Sequence, residues 1–146
     1  MSTTDMTNTD YTVGWICALS TELAASQAML DEEHPNLPLA ENDMNTYTLG
    51  QIGPHNVVLA CLPSGATGIS AAATAAKDLL RSFPKVRFGL MVGVGSGVPS
   101  NPSEDPRKDI RLGDVVVSYS EDNCGKGRCI YLIKLGLTRC IGGVPQ

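Results

Sequence analysis

Residues 86–98 read VRFGLMVGVGSGV, a run that apart from Arg87 and Ser96 holds only apolar residues and glycine. A strand without polar alternation needs cover on both faces, which a sheet gains when helices pack on each side of it. The stretch before it supplies one such helix: in TGISAAATAAKDLLRSF (67–83), residues Ile69, Ala72, Ala73, Ala76, Leu79, Leu80 and Phe83 recur at three- and four-residue intervals. Further upstream, YTVGWICAL (11–19) is rich in strand formers and passes into Ser20-Thr21-Glu22, where hydroxyls and an acid suit a helix start. That helix is expected to run through LAASQAMLDEE and to stop at His34-Pro35, because proline disfavours helical geometry in the residue before it. Alternating strands and helices of this kind predict an α/β fold with a mixed, mostly parallel central sheet flanked by helices.

The remaining segments fit around this frame. TYTLGQI (46–52) and NVVLACL (56–62) flank Gly53-Pro54-His55 and read as two strands on a short turn. DEEHPNLPLAENDMN (31–45) reads as a surface loop, with His34 and His55 as exposed loop residues. A proline-bearing loop, PSNPSEDPRKD, leads to a Gly113-Asp114 turn and the strand in RLGDVVVSYS. From Asn123 the character changes: Lys126, Arg128, Lys134 and Arg139 have no acidic counterpart, and three of the five cysteines fall here. The expected division is a polar, disordered stretch over 1–10, a partial domain over 11–122, and a divergent basic tail over 123–146. The tail offers CIYLIKLGL as one strand and no covering helix, so the VRFGLMVGVG strand (86–95) is expected to keep exposed apolar surface and unpaired edges.

With 42% hydrophobic and 18% charged residues, the chain has the composition of a globular protein. A net charge of −4 and a pI near 5.0 leave no basic field for a phosphate backbone or an anionic membrane. Nucleic acid and membrane are therefore excluded as expected partners. The opening MSTTDMTNTD lacks a basic n-region and a long apolar core, which makes a cytoplasmic setting the expectation. Cys17 and Cys61 lie in apolar runs and read as buried reduced thiols. Cys124 and Cys129 have no second Cys or His pair at metal-ligand spacing, so neither zinc nor another cofactor is expected.

Four blocks, VGWICALSTELAA, TYTLGQIGPHNVVLACLPSG, FGLMVGVGSGVP and DIRLGDVVVS, stand in the order and spacing found in the nucleoside phosphorylase and nucleosidase superfamily. They most resemble the version at the amino end of fungal multidomain proteins with NTPase and repeat modules. The resemblance covers about residues 11–120, roughly half of a typical domain of that family, and so implies an incomplete fold. It implies cleavage of the N-glycosidic bond of purine nucleosides or nucleotides. Such a reaction passes through an oxocarbenium-like sugar and needs activated water or a nucleophile below the ring. The resemblance makes Glu22 the base on that water; read as a bare first-turn acid, Glu22 only complements the helix dipole. It places Gly93, Val94, Gly95, Ser96 and Gly97 along the ribose and base, and Ser64-Gly65 either at the ligand or in a simple turn. As a dinucleotide fingerprint the glycine loop fails, since it leads into Val98-Pro99 and not into a helix.

Departures from the family pattern carry further expectations. Met91 and Val94 stand where the phosphorylase branch carries a phosphate-binding arginine and hydroxyl, and ALSTELAA lacks that branch's other arginine. Water is thus the expected acceptor, ahead of phosphate. The family's ribose-binding Met-Glu segment and its proton-donating Ser-Asp pair have no match, and no aspartate follows Asp122. The chain taken alone is accordingly expected to be inactive and marginally stable. A homo-oligomer is the family expectation. A second reading stays open: a catalytically silent ligand- or partner-binding module of a signalling protein.

Overall fold

A computed structural model describes residues 6–66, 68–95 and 113–117, together with the backbone of 129–136. Its elements in chain order are β1 (Val13–Cys17), α1 (Ser20–Gln27), β2 (Glu32–His34), β3 (Tyr47–Ile52), β4 (His55–Cys61), α2 (Ile69–Ser82), β5 (Phe88–Gly95), β6 (Val115–Val117) and β7 (Cys129–Gly136). One sheet holds every strand among the described residues, in the order β2-β3-β4-β1-β5-β7-β6. The central strands β4, β1, β5 and β7 run parallel, while β2, β3 and β6 join antiparallel towards the edges. This is the mixed α/β sheet that the strand-helix alternation implied.

Register explains where the core sits. Tyr47, Ala60, Ile16 and Met91 form one row across β3, β4, β1 and β5, and Leu49, Val58, Gly14 and Gly89 form the next on the same face. The buried members of these rows pack with Ala75, Leu79, Phe83 and Val86, so α2 closes this face over β3, β4 and β1. Gly14 permits the approach: a Cβ there would lie 2.9 Å from Leu79 Cδ2 and 3.3 Å from Val86 Cγ1. Phe83 is the hub, its ring edge-on to Tyr11 and Tyr47 at centroid distances of 5.5 and 5.3 Å. The opposite face carries Cys17, whose Sγ lies 3.7 Å from Ser26 Oγ of α1. The two helices thus cover opposite faces. None among the described residues is long and apolar enough to cross a membrane.

Four expectations are corrected. First, α1 stops at Gln27, and Glu32–His34 form a strand, with Glu32 opposite Gln51 and His34 opposite Leu49. The open edge of β3 needs partners for its backbone groups, and this segment supplies them. Pro35 acts as foreseen on His34 but holds it extended, which suits a strand as well as a helix stop. Second, His34 is buried, and its Nδ1 lies 2.9 Å from the Tyr11 hydroxyl; His55 is exposed but opens β4 and is not in a loop. Third, Asn8–Asp10, within the stretch expected to be disordered, form a 3-10 turn, where Asn8 Nδ2 donates to the carbonyls of Pro38 (2.7 Å) and Ser82 (2.9 Å).

The fourth correction concerns β5. Its flanks are not unpaired, because β1 pairs on one side and β7 on the other, from Phe88–Cys129 to Gly95–Gly136. The segment read as a separate tail therefore contributes a strand to the same sheet. Cover is nevertheless incomplete among the described residues: only Val92 of β5 is buried, and Phe88 and Val94 are about half exposed (49% and 48%). Because α2 lies over β3, β4 and β1, a gap of about 250 Å³ remains beside β5, walled by Gly14, Ile16, Ala76, Leu80, Gly89 and Met91.

Between β2 and β3 the chain is pinned by polar contacts. Asp43 accepts from Tyr47 Oη (2.9 Å) and Ser82 Oγ, and Ser82 Oγ in turn accepts from Ala40 N at 3.0 Å. Burial of the Asp43 carboxyl is outweighed by these bonds and by the Asn45 amide, which together hold it below the usual carboxylate range. Tyr47 is pushed up by burial, and Tyr11 is pushed up to about 12, by burial first and then by the charge of Asp10.

Candidate active site

The parallel strands β4, β1 and β5 end at one edge of the sheet, where open α/β sheets present ligands. Glu22 reaches this edge from the first turn of α1. Its Oε2 accepts from the backbone amides of Ala18 and Leu19, both at 3.0 Å, and its Oε1 accepts from the amide of Val94 at 2.8 Å. Glu22 is half-buried, and its carboxylate spans from the end of β1 to the end of β5.

Two thiols lie at the same edge of the sheet, close enough to feel the charge of Glu22. Cys17 and Cys61 are register partners at the ends of β1 and β4, and both are free. Burial raises the Cys17 thiol, with lesser upward contributions from the charges of Glu22 and Cys61; Cys61 is raised by burial and then by Glu22. Among the described residues no group of three or more His, Cys, Asp or Glu could hold a metal ion. The cationic side chains among those described are placed elsewhere: Lys77 and Arg81 lie 3.3 Å from Asp78, and Lys85 and Arg87 precede β5 at the opposite end of the strand from Val94.

This arrangement of sheet and edge is also found in solved enzymes. The chain superposes on the S-adenosylhomocysteine nucleosidase of Streptococcus pyogenes, solved with 5-methylthiotubericidin, with a TM-score of 0.51 and 27% identity over 74% of this chain and 39% of that one. For the 5′-methylthioadenosine/S-adenosylhomocysteine nucleosidase of Colwellia psychrerythraea 34H, solved with adenine, the values are 0.53 and 24%, over 77% and 40%. The futalosine hydrolase of Helicobacter pylori gives 0.54 and 17%, over 75% and 40%. The chain has the nucleoside phosphorylase and nucleosidase fold.

It spans about two-fifths of the length of these nucleosidase structures. In sequence, it is 50% identical over 117 residues to a nucleotide-binding leucine-rich repeat (NLR)-like protein of the fungus Hyaloscypha variabilis, a match covering 80% of this chain and 11% of that protein. No profile of a known protein family matches.

On the nucleosidase fold the expected site residues separate into groups. Glu22, Gly93 and Val94 come together, and Gly95 ends β5 beside them. Ser64 and Gly65 follow β4 in an exposed turn, closed by Ala66 N donating to Pro63 O at 2.9 Å, and neither hydrogen-bonds to Glu22 or to residues 93–95. Ser96 and Gly97 lie outside the described residues. Met91 shares the α2-side row with Ile16 and faces the apolar gap.

Sequence reasoning missed the amides of Ala18 and Leu19 as the seat of Glu22. The signal was present: an acid three residues beyond the residue preceding a helix is the spacing at which a side chain reaches back to the cap amide. The pairing of Cys17 with Cys61 was also missed, since strand order alone makes them neighbours.

Proposed function

We propose that this chain contributes the amino-terminal part of a domain that hydrolyses the N-glycosidic bond of purine nucleosides or nucleotides, with Glu22 as the base on water. One observation carries the reading: Glu22 is fixed at the carboxyl edge of the parallel strands by two amides of the turn that follows β1 and one amide of β5. A carboxylate that only complemented the dipole of α1 would have no reason to bond to β5.

In the reaction, a water oxygen bonds to the anomeric carbon as the carbon–nitrogen bond breaks, and the water's proton passes to Glu22. The bond's electron pair leaves with the base, which takes up a proton. Placement of such a base contributes about 10²- to 10⁴-fold in rate. Gly93, Val94 and Gly95, with Ser96 and Gly97 beyond them and Ser64-Gly65 after β4, are assigned to ribose and base. The partial domain comprises residues 11–122 together with the β7 strand (Cys129–Gly136) that joins its sheet, in a cytoplasmic setting.

Water is favoured over phosphate because Met91 and Val94 bring no charge to the edge, and Lys85 and Arg87 lie at the far end of β5. The test uses a longer polypeptide that joins residues 1–120 to the sequence following the matched segment in the fungal relative. Free base should appear from a purine nucleoside in phosphate-free buffer, with no acceleration on adding phosphate. A strict phosphate requirement would overturn the assignment. The name of that relative favours a second reading, a silent module in a signalling protein, for which no base would appear under either condition.

A further inference from the structure

We propose that Gly93 is a positioning residue for Glu22: its missing side chain leaves the space in which the carboxylate docks on the Val94 amide. This deepens the reading of Glu22 as the base and rests on it for its functional meaning. A Cβ on Gly93 would lie 2.9 Å from Glu22 Oε1 and 3.3 Å from both Cδ and Oε2. The three nearest atoms to that Cβ outside its chain neighbours all belong to the Glu22 carboxylate, so the space left open at residue 93 is the one the carboxylate docks beside.

The clash is with the end of a flexible side chain, so alanine at 93 displaces Glu22 and leaves β5 in register. The backbone places no other demand on glycine here, since Gly93 is absent from the residues with positive φ. The two carboxylate oxygens have separate duties. Oε2 is tied to the local amides of Ala18 and Leu19, which any helix-start acid at this spacing can reach. Oε1 alone depends on β5, through Val94 N at 2.8 Å. Gly93 therefore governs the longer-range bond and not the cap. The Val94 N–H, already donating to Glu22, serves to orient the base, and the contact of residues 93 and 94 with ribose and base falls to their other backbone atoms.

The 146-residue chain itself supplies the test, with no turnover needed. In ¹⁵N-labelled protein, the amide signals of Ala18, Leu19 and Val94 are followed as pH is lowered. The titratable groups around Glu22 from β1 and β4 are the Cys17 and Cys61 thiols, which stay protonated throughout acid because burial raises both. In the wild type all three amides should move together as Glu22 protonates, and Glu22→Gln should abolish all three shifts. Gly93→Ala should abolish the shift at Val94 and keep those at Ala18 and Leu19, a split that a general loosening of the fold does not produce. Retention of the Val94 shift in Gly93→Ala would overturn the proposal, as would a Val94 amide that fails to follow Glu22 in the wild type. Loss of base release in Glu22→Gln is a separate question, so failure of the catalytic reading is distinguishable from failure of this one.

Discussion

Replacing Phe83 by alanine removes a ring that is fully buried at the end of α2, edge-on to Tyr11 and Tyr47 at 5.5 and 5.3 Å. Truncating a buried Phe to Ala costs about 3–5 kcal/mol, and each aromatic pair accounts for about 0.5–1.5 kcal/mol of such a loss. Domains are stable by only about 5–15 kcal/mol, so this single change takes a large share. At about 2–4 °C per kcal/mol for a chain of this size, the melting temperature should drop by about 6–20 °C. Phe83→Leu keeps much of the volume and should fall between Phe83→Ala and the wild type. Val116→Ala, on an exposed strand, should stay within about 0.5 kcal/mol. Thermal and urea melts followed by circular dichroism would read all three. A Phe83→Ala loss under about 1 kcal/mol would refute the enclosure of this ring between α2 and the strands, and with it the assignment of the core to that face.

Two further outcomes follow from titrating groups. Asp43 is held below its ordinary value of 3.8 in the folded chain, so its contribution is present above that value and is lost as pH falls through the lower folded one. Urea stability measured from pH 7 to 3 should therefore fall more steeply in the wild type than in Asp43→Asn, and parallel profiles would contradict the loop clamp. With a thiol alkylating reagent, half-exposed Cys61 should react before buried Cys17, and both more slowly than a free thiol at pH 8. Glu22→Gln removes a charge that raises both, so Cys61 should then react faster; an unchanged rate would place Glu22 away from the thiols.

The fold was legible where local pattern and tertiary demand agree. The spacing from Ile69 to Phe83 marks α2, Gly53-Pro54 marks the turn between β3 and β4, and the apolar run marks β5. It was illegible where a partner decides. Nothing within Glu32–His34 announces a strand; the free edge of β3 makes it one, and Tyr11 draws His34 inward. Similarly, β7 lies in a basic segment without periodic cover, and its assignment depends on β5 offering a parallel edge. Glu22 was visible as a candidate through the family resemblance of VGWICALSTELAA, since its place after β1 alone fits a first-turn acid. Its bond to Val94, 72 positions away, depends on β1 and β5 being neighbours in the sheet, which residue spacing does not encode.

The most direct test of the central claim compares wild type with Glu22→Gln in the lengthened polypeptide, measuring free base released from a purine nucleoside in phosphate-free buffer. Loss of about 10²- to 10⁴-fold in kcat, with the fold intact by circular dichroism, is the result predicted for a general base at this position. Equal rates in the two proteins would contradict it and would leave Glu22 as the cap of α1 alone.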